Sequence, residues 1–124
     1  MERIFNLNQH TPKQPKPADE PVQLFNEHLL IKSFLADEFI KDSMQILAVY
    51  YKDRNTLLLA SDKDEAFKKL HKTILLFVKV KNIEGDRSIS MQEFLADWPE
   101  INSENRVLEF EYQSPMNILK VTLA

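Results

Sequence analysis

Gly85 is the only glycine in 124 residues, and this scarcity constrains the chain more than any other feature. Glycine supplies positive φ and lets the backbone approach a ligand closely. A Walker A loop, a GxGxxG dinucleotide turn and a GxSxG nucleophile elbow each need at least two glycines at fixed spacing. None can be built here, so most nucleotide-binding and hydrolase classes fall away. Cysteine is absent altogether, which removes disulfides, thiol catalysis, iron–sulfur clusters and Cys-ligated zinc.

With 44% hydrophobic and 28% charged residues, the composition is that of a single folded domain with a real core. The opening residues, Met1 to Asn6, lack the apolar stretch of a signal peptide. The longest apolar run, Ile74 to Val78, is about a quarter of a membrane span. A cytoplasmic protein without membrane contact is therefore expected. Net charge is −3 but unevenly spread. Residues 63 to 81 carry six lysines against Asp64 and Glu65, whereas residues 82 to 124 carry eight acids against Arg87, Arg106 and Lys120. This acidic balance, with only four arginines, argues against nucleic acid as a partner.

Residues 1–21 read as an extended Pro-rich arm, because 8–21 hold four of the six prolines and no large apolar side chain. Within it, Pro12-Lys13-Gln14-Pro15 is a minimal PxxP spacing. Residues 22–124 read as one α+β domain. Leu29, Leu30, Ile31, Phe34, Leu35, Ala36, Phe39 and Ile40 recur at helical spacing and predict a helix from Asn26, as N-cap, to Asp42. Met44–Tyr51 and Thr56–Ser61, joined by Lys52-Asp53-Arg54-Asn55, predict a β-hairpin. Asp62 to Glu65 opens a second helix with Ala66, Phe67 and Leu70 as its apolar stripe. Thr73–Lys81 fits either a strand or a continued helix, and its β-branched content favours the strand. Ser90-Met91-Gln92-Glu93 has capping-box spacing ahead of a third helix stopped by Pro99. Leu108, Phe110 and Tyr112 alternate with Val107, Glu109 and Glu111, then Ser114–Asn117 turns the chain into a last strand. The expected architecture is an antiparallel sheet of about five strands with about three helices packed on one face.

Residues 82–93 resemble a twelve-residue EF-hand calcium loop. Counted from Asn82, the oxygen-bearing Glu84, Asp86, Ser90 and Glu93 fall at the third, fifth, ninth and twelfth positions, and Ile89 at the apolar eighth. The pattern departs from the motif at Asn82, where Asp belongs, and at Arg87, where glycine makes the sharp turn. No second loop accompanies it. His10, His28 and His71 are too scattered to form a metal pair at helical spacing. Glu109 and Glu111 share one strand face, open to a basic partner, and Trp98 ahead of Pro99 is suited either to closing the core or to anchoring a partner.

No nucleophile, base and oxyanion donor can be grouped from these residues. The reading adopted is a non-catalytic, cofactor-free protein-interaction domain, a small regulatory, inhibitor or immunity-type or assembly subunit. It would bind a protein partner or a second copy through Trp98, Glu109 and Glu111. The alternative is a small-ligand or metal-responsive domain that uses the loop at 82–93 and a pocket between the sheet and the first helix.

Overall fold

The computed structural model describes residues 16–124. In chain order its strands are β1 (Val22–Phe25), β2 (His28–Ile31), β3 (Gln45–Tyr51), β4 (Thr56–Ser61), β5 (Ile74–Val80), β6 (Arg87–Ser90), β7 (Arg106–Val107), β8 (Glu109–Gln113) and β9 (Ile118–Thr122). The helices are α1 (Ser33–Phe39), α2 (Glu65–Leu70) and α3 (Gln92–Asp97). All strand pairs are antiparallel, in the order β7-β1-β2-β6-β5-β3-β4-β9-β8. This replaces the expected five-stranded sheet with helices on one face: nine strands form a nearly closed, barrel-like sheet.

Two bent segments close it. The ends of the order, β7 and β8, are separated in sequence only by Leu108, which is buried and donates its N–H to the Val22 carbonyl at 3.0 Å. One continuous stretch thus pairs first with β1 and then with β9. On the opposite side β5 does the same, pairing with β3 through Ile74–Phe77 and with β6 through Val78–Val80. The connectivity is pseudo-twofold, with hairpin β1–β2 matching β3–β4 and β5–β6 matching β8–β9.

The four hairpins turn on residues in the left-handed region. These are Asn26 and Glu27 (φ 49° and 62°), Asn55 (53°), Gly85 (90°) and Asn117 (56°). With one glycine available, asparagine takes the other positions, since its short side chain tolerates this conformation better than most. In two hairpins a tyrosine five residues earlier fixes that side chain. Tyr50 donates its hydroxyl to Asn55 Oδ1 at 2.7 Å, and Tyr112 likewise donates to Asn117 Oδ1.

The barrel interior holds Leu24, Leu29, Ile31, Ile46, Leu57, Leu59, Ile89, Leu119 and Val121. Because β2 and β6 run antiparallel, α1 and α3, which follow them, close opposite ends. Phe39 of α1 meets Tyr112 at 6.3 Å, while Phe94 of α3 meets Tyr50 edge-on at 5.4 Å. The second helix lies outside, where Phe67 packs on Leu47, Val49 and Ala60 from the outer faces of β3 and β4.

The β3–β4 hairpin, the strand over 73–81 and the helix opened within Asp62 to Glu65 form as the sequence predicts. Asp64 accepts the Phe67 N–H at 3.0 Å. Of that helix's expected stripe, however, only Phe67 is buried, and Leu70 is 77% exposed. The expected helix from Asn26 to Asp42 is instead the β1–β2 turn, strand β2 and the short α1. Leu29, Leu30 and Ile31 are consecutive and all buried, so β2 shows no period-two alternation, and the next apolar residues extended a false helical pattern. Ser90 belongs to β6 and caps nothing. Met91 occupies the N-cap of α3 with no side-chain bond. Of the expected arm, residues 1–15, including Pro12-Lys13-Gln14-Pro15, lie outside the described residues. Its end is tied down, as Asp19 pairs with Lys32 at 2.7 Å and Gln23 exchanges two hydrogen bonds with Ala18. No helix among the described residues is long and apolar enough to cross a membrane.

Candidate functional site

Trp98 follows α3 and packs edge-on against Tyr50, 4.9 Å between ring centroids, so it is partly spent on closing the α3 end of the core. Glu109 and Glu111 are exposed on the outer face of β8, in register with Thr122 and Lys120. They belong to β8, whereas Trp98 follows α3.

Residues 82–93 do not close around a point. Ser90 ends β6, Glu93 stands exposed in the first turn of α3, and Glu84 is exposed in the preceding turn. Asp86 is buried and its carboxylate is already engaged. Oδ1 accepts the Ser33 N–H at 2.9 Å, while Oδ2 accepts the Asn82 side-chain N–H at 3.0 Å and faces Lys32 Nζ at 3.5 Å. The Asn82 bond is the main cause holding the Asp86 carboxyl below its usual range. Arg87, where the loop motif wants glycine, lies buried and donates to Asp37 Oδ1 at 3.0 Å and to the carbonyls of Lys41 and Gly85. Among the described residues no three His, Asp or Glu side chains gather as a metal site. The calcium-like spacing serves to fasten α1 to the β5–β6 turn.

Two features were not singled out from the sequence. The first is the outer face of β5. Leu76 and Val78 point inward, so Leu75 and Phe77 point outward, and they are 51% and 67% exposed. Met44, 74% exposed, joins Phe77, Gln45, Asp62 and Lys79 around an open hollow of about 500 Å³. The signal was present: five consecutive apolar residues at 74–78 in a strand place large side chains on both faces, and only one face can meet the core. The second is a cavity of about 430 Å³ beyond the end of α2, lined by Tyr51, Asp53, Arg54, Thr56, Leu58, His71, Gln113 and Lys120. Tyr51 and His71 are hydrogen-bonded there through the phenol oxygen and Nδ1. Residues from six separate elements and turns meet, which no local pattern could announce. The remaining described histidine, His28, is bonded through Nδ1 to the Asn26 carbonyl at 2.9 Å within the β1–β2 hairpin.

No protein-family model matches this chain, and no curated protein or solved structure is significantly similar to it.

Proposed function

We propose that this chain is a non-catalytic protein-interaction domain that docks its partner on the outer face of β5. The observation that carries the reading is the exposure of Met44, Leu75 and Phe77 together beside one strand. Large apolar side chains scattered singly on a surface are ordinary, whereas neighbouring ones rimmed by polar groups mark interaction sites. The rim also selects the partner. Lys79 lines the hollow with Asp62, and Lys68, Lys69, Lys72 and Lys81 are exposed on α2 and the turns adjoining β5, where Lys68 pairs with Glu65 at 3.7 Å; cations outnumber acids there, so the complementary surface carries apolar residues among acidic ones. Glu109 and Glu111 on β8 remain a second, acidic contact face, and Trp98 contributes mainly to the core.

The test replaces Phe77 with a photo-crosslinking residue and captures partners from the protein's own cell lysate, with Phe77→Asp alongside. The reading requires one stoichiometric partner joined through an acidic, apolar segment and lost in the Asp variant. Capture undiminished by Phe77→Asp, or a crosslink to a basic segment, would overturn it. Sedimentation of the purified chain covers a second copy as occupant: dimers broken by Phe77→Asp would make this a self-association surface.

A further inference from the structure

A second cavity lies on the outer barrel wall beyond α2. Its floor is Thr56 and Leu58 of β4, flanked by the outward-facing Tyr51 of β3 and Lys120 of β9. His71 closes one side, Gln113 another, and the β3–β4 turn contributes Asp53 and Arg54. The size, about 430 Å³, falls in the range of small-molecule pockets.

The chemistry of the lining is uneven in one direction. Arg54 and Lys120 form no ion pair among the described residues, although Glu111 stands opposite Lys120 in the strand register. Asp53 is the one carboxylate in the lining, so two permanent cations face one anion. Further polar groups surround them, the Gln113 amide and the Tyr51–His71 pair, whose imidazole engages the phenol oxygen through Nδ1 and leaves Nε2 outside that bond. Thr56 adds little, as its hydroxyl is already given to the Arg54 carbonyl at 2.9 Å. That bond and the left-handed Asn55, held by Tyr50, fix the turn that presents Arg54. Apolar surface is supplied by Leu58 and by the Tyr51 and His71 rings, which meet edge-on at 5.7 Å.

We propose that this cavity binds a small organic anion, a carboxylate or phosphate on a flat apolar body, with the anionic group between Arg54 and Lys120 and the body over Leu58 and Tyr51. Arginine favours planar, two-point recognition of such groups and lysine adds a mobile point charge. The cavity shares no lining residue with the hollow around Met44 and Phe77, so the site stands independently of the protein-docking reading.

The experiment is an amide-resolved NMR titration of the full chain with benzoate, phenyl phosphate, inorganic phosphate and, as the uncharged counterpart, benzyl alcohol. Benzoate or phenyl phosphate should shift the amides of Leu58, His71, Gln113 and Lys120 saturably, and preference between the two identifies the anionic group. The double variant Arg54→Gln/Lys120→Gln should weaken binding about tenfold or more, the loss expected from a charge-assisted contact. Phe77→Asp should leave it unchanged. No saturable shift with either aromatic anion, equal binding of benzyl alcohol, or undiminished affinity in a folded double variant would each overturn the proposal. Inorganic phosphate binding as tightly as phenyl phosphate would remove the apolar half of it.

Discussion

Asp86 is the residue whose replacement most directly tests how this fold is held together. Its carboxylate caps the first backbone N–H of α1 from 53 positions away and binds the Asn82 amide that shapes the β5–β6 turn. Ser33 has no other cap, because Lys32 at the N-cap makes no side-chain bond to the helix. A hydrogen bond to a charged group contributes about 1.5–3 kcal/mol, and the two share one acceptor group, so Asp86→Ala should cost about 2–4 kcal/mol. Asp86→Asn keeps one acceptor oxygen and presents an N–H toward either Ser33 or Asn82, so about 1–2 kcal/mol is expected. Urea unfolding at pH 7 measures both. The pH dependence supplies the sign. The native carboxyl is held below its unfolded value, chiefly by Asn82, so its stabilisation is complete above the unfolded pKa and is lost as pH falls through the native one. The gap between the wild-type protein and Asp86→Asn should therefore close as the pH falls below the ordinary aspartate value of about 4. A loss under about 0.5 kcal/mol for Asp86→Ala, or a gap that persists undiminished in acid, would refute the capping argument. Added Ca²⁺ should leave the midpoint in place; a calcium-dependent rise abolished by Asp86→Asn would restore the metal-loop reading, since a native-state ligand must stabilise.

Phe67→Ala should cost about 3 kcal/mol, the usual penalty for truncating a buried phenylalanine. Since Phe67 is the only buried side chain of α2, hydrogen exchange should show that helix losing protection while β3 and β4 keep theirs. Asn117 at φ 56° offers a sharper pair: Asn117→Ala should lose the Tyr112 hydrogen bond and add left-handed strain, about 2 kcal/mol together, whereas Asn117→Gly should lose little more than the bond, about 1 kcal/mol. Thermal or urea midpoints rank the two, and equal losses would mean the turn relaxes.

The parts of the fold visible in the sequence are those whose signal is local. The β3–β4 hairpin shows strand-forming runs around a polar turn, and the acids between Asp62 and Glu65 stand where they oppose the dipole of the helix that follows. What escaped was set by distant contacts. The β1–β2 hairpin has the two left-handed positions of a tight turn but fills them with Asn26-Glu27, lacking the glycine that usually betrays one. Strand β6 lay inside a spacing that mimics calcium ligands, and only the three-dimensional neighbours Ser33, Lys32 and Asn82 reveal what Asp86 does. The same holds for function. Phe77 could be inferred as exposed from the apolar run once a strand was accepted, but Tyr51, His71 and Lys120 become neighbours only through the barrel.

The scarcity of glycine bears on both surfaces. Each of the four hairpins here turns on a left-handed residue, and Asn26, Asn55 and Asn117 fill three of the four with side chains that can be held. Tyr50 and Tyr112 hold two of them with partly buried phenols, whose pKa is raised chiefly by desolvation. A glycine turn would be free to move. Asn55 pinned by Tyr50 instead anchors the turn carrying Asp53 and Arg54 at the rim of the cavity, so a fold-level substitution for a missing glycine also orients a candidate ligand-binding side chain. Tyr50→Phe then separates the two roles: it should cost about 1 kcal/mol of stability and, because it frees the turn, should weaken binding of an aromatic anion in a chain that remains folded. Unchanged affinity would show that Arg54 is positioned without the Tyr50–Asn55 bond.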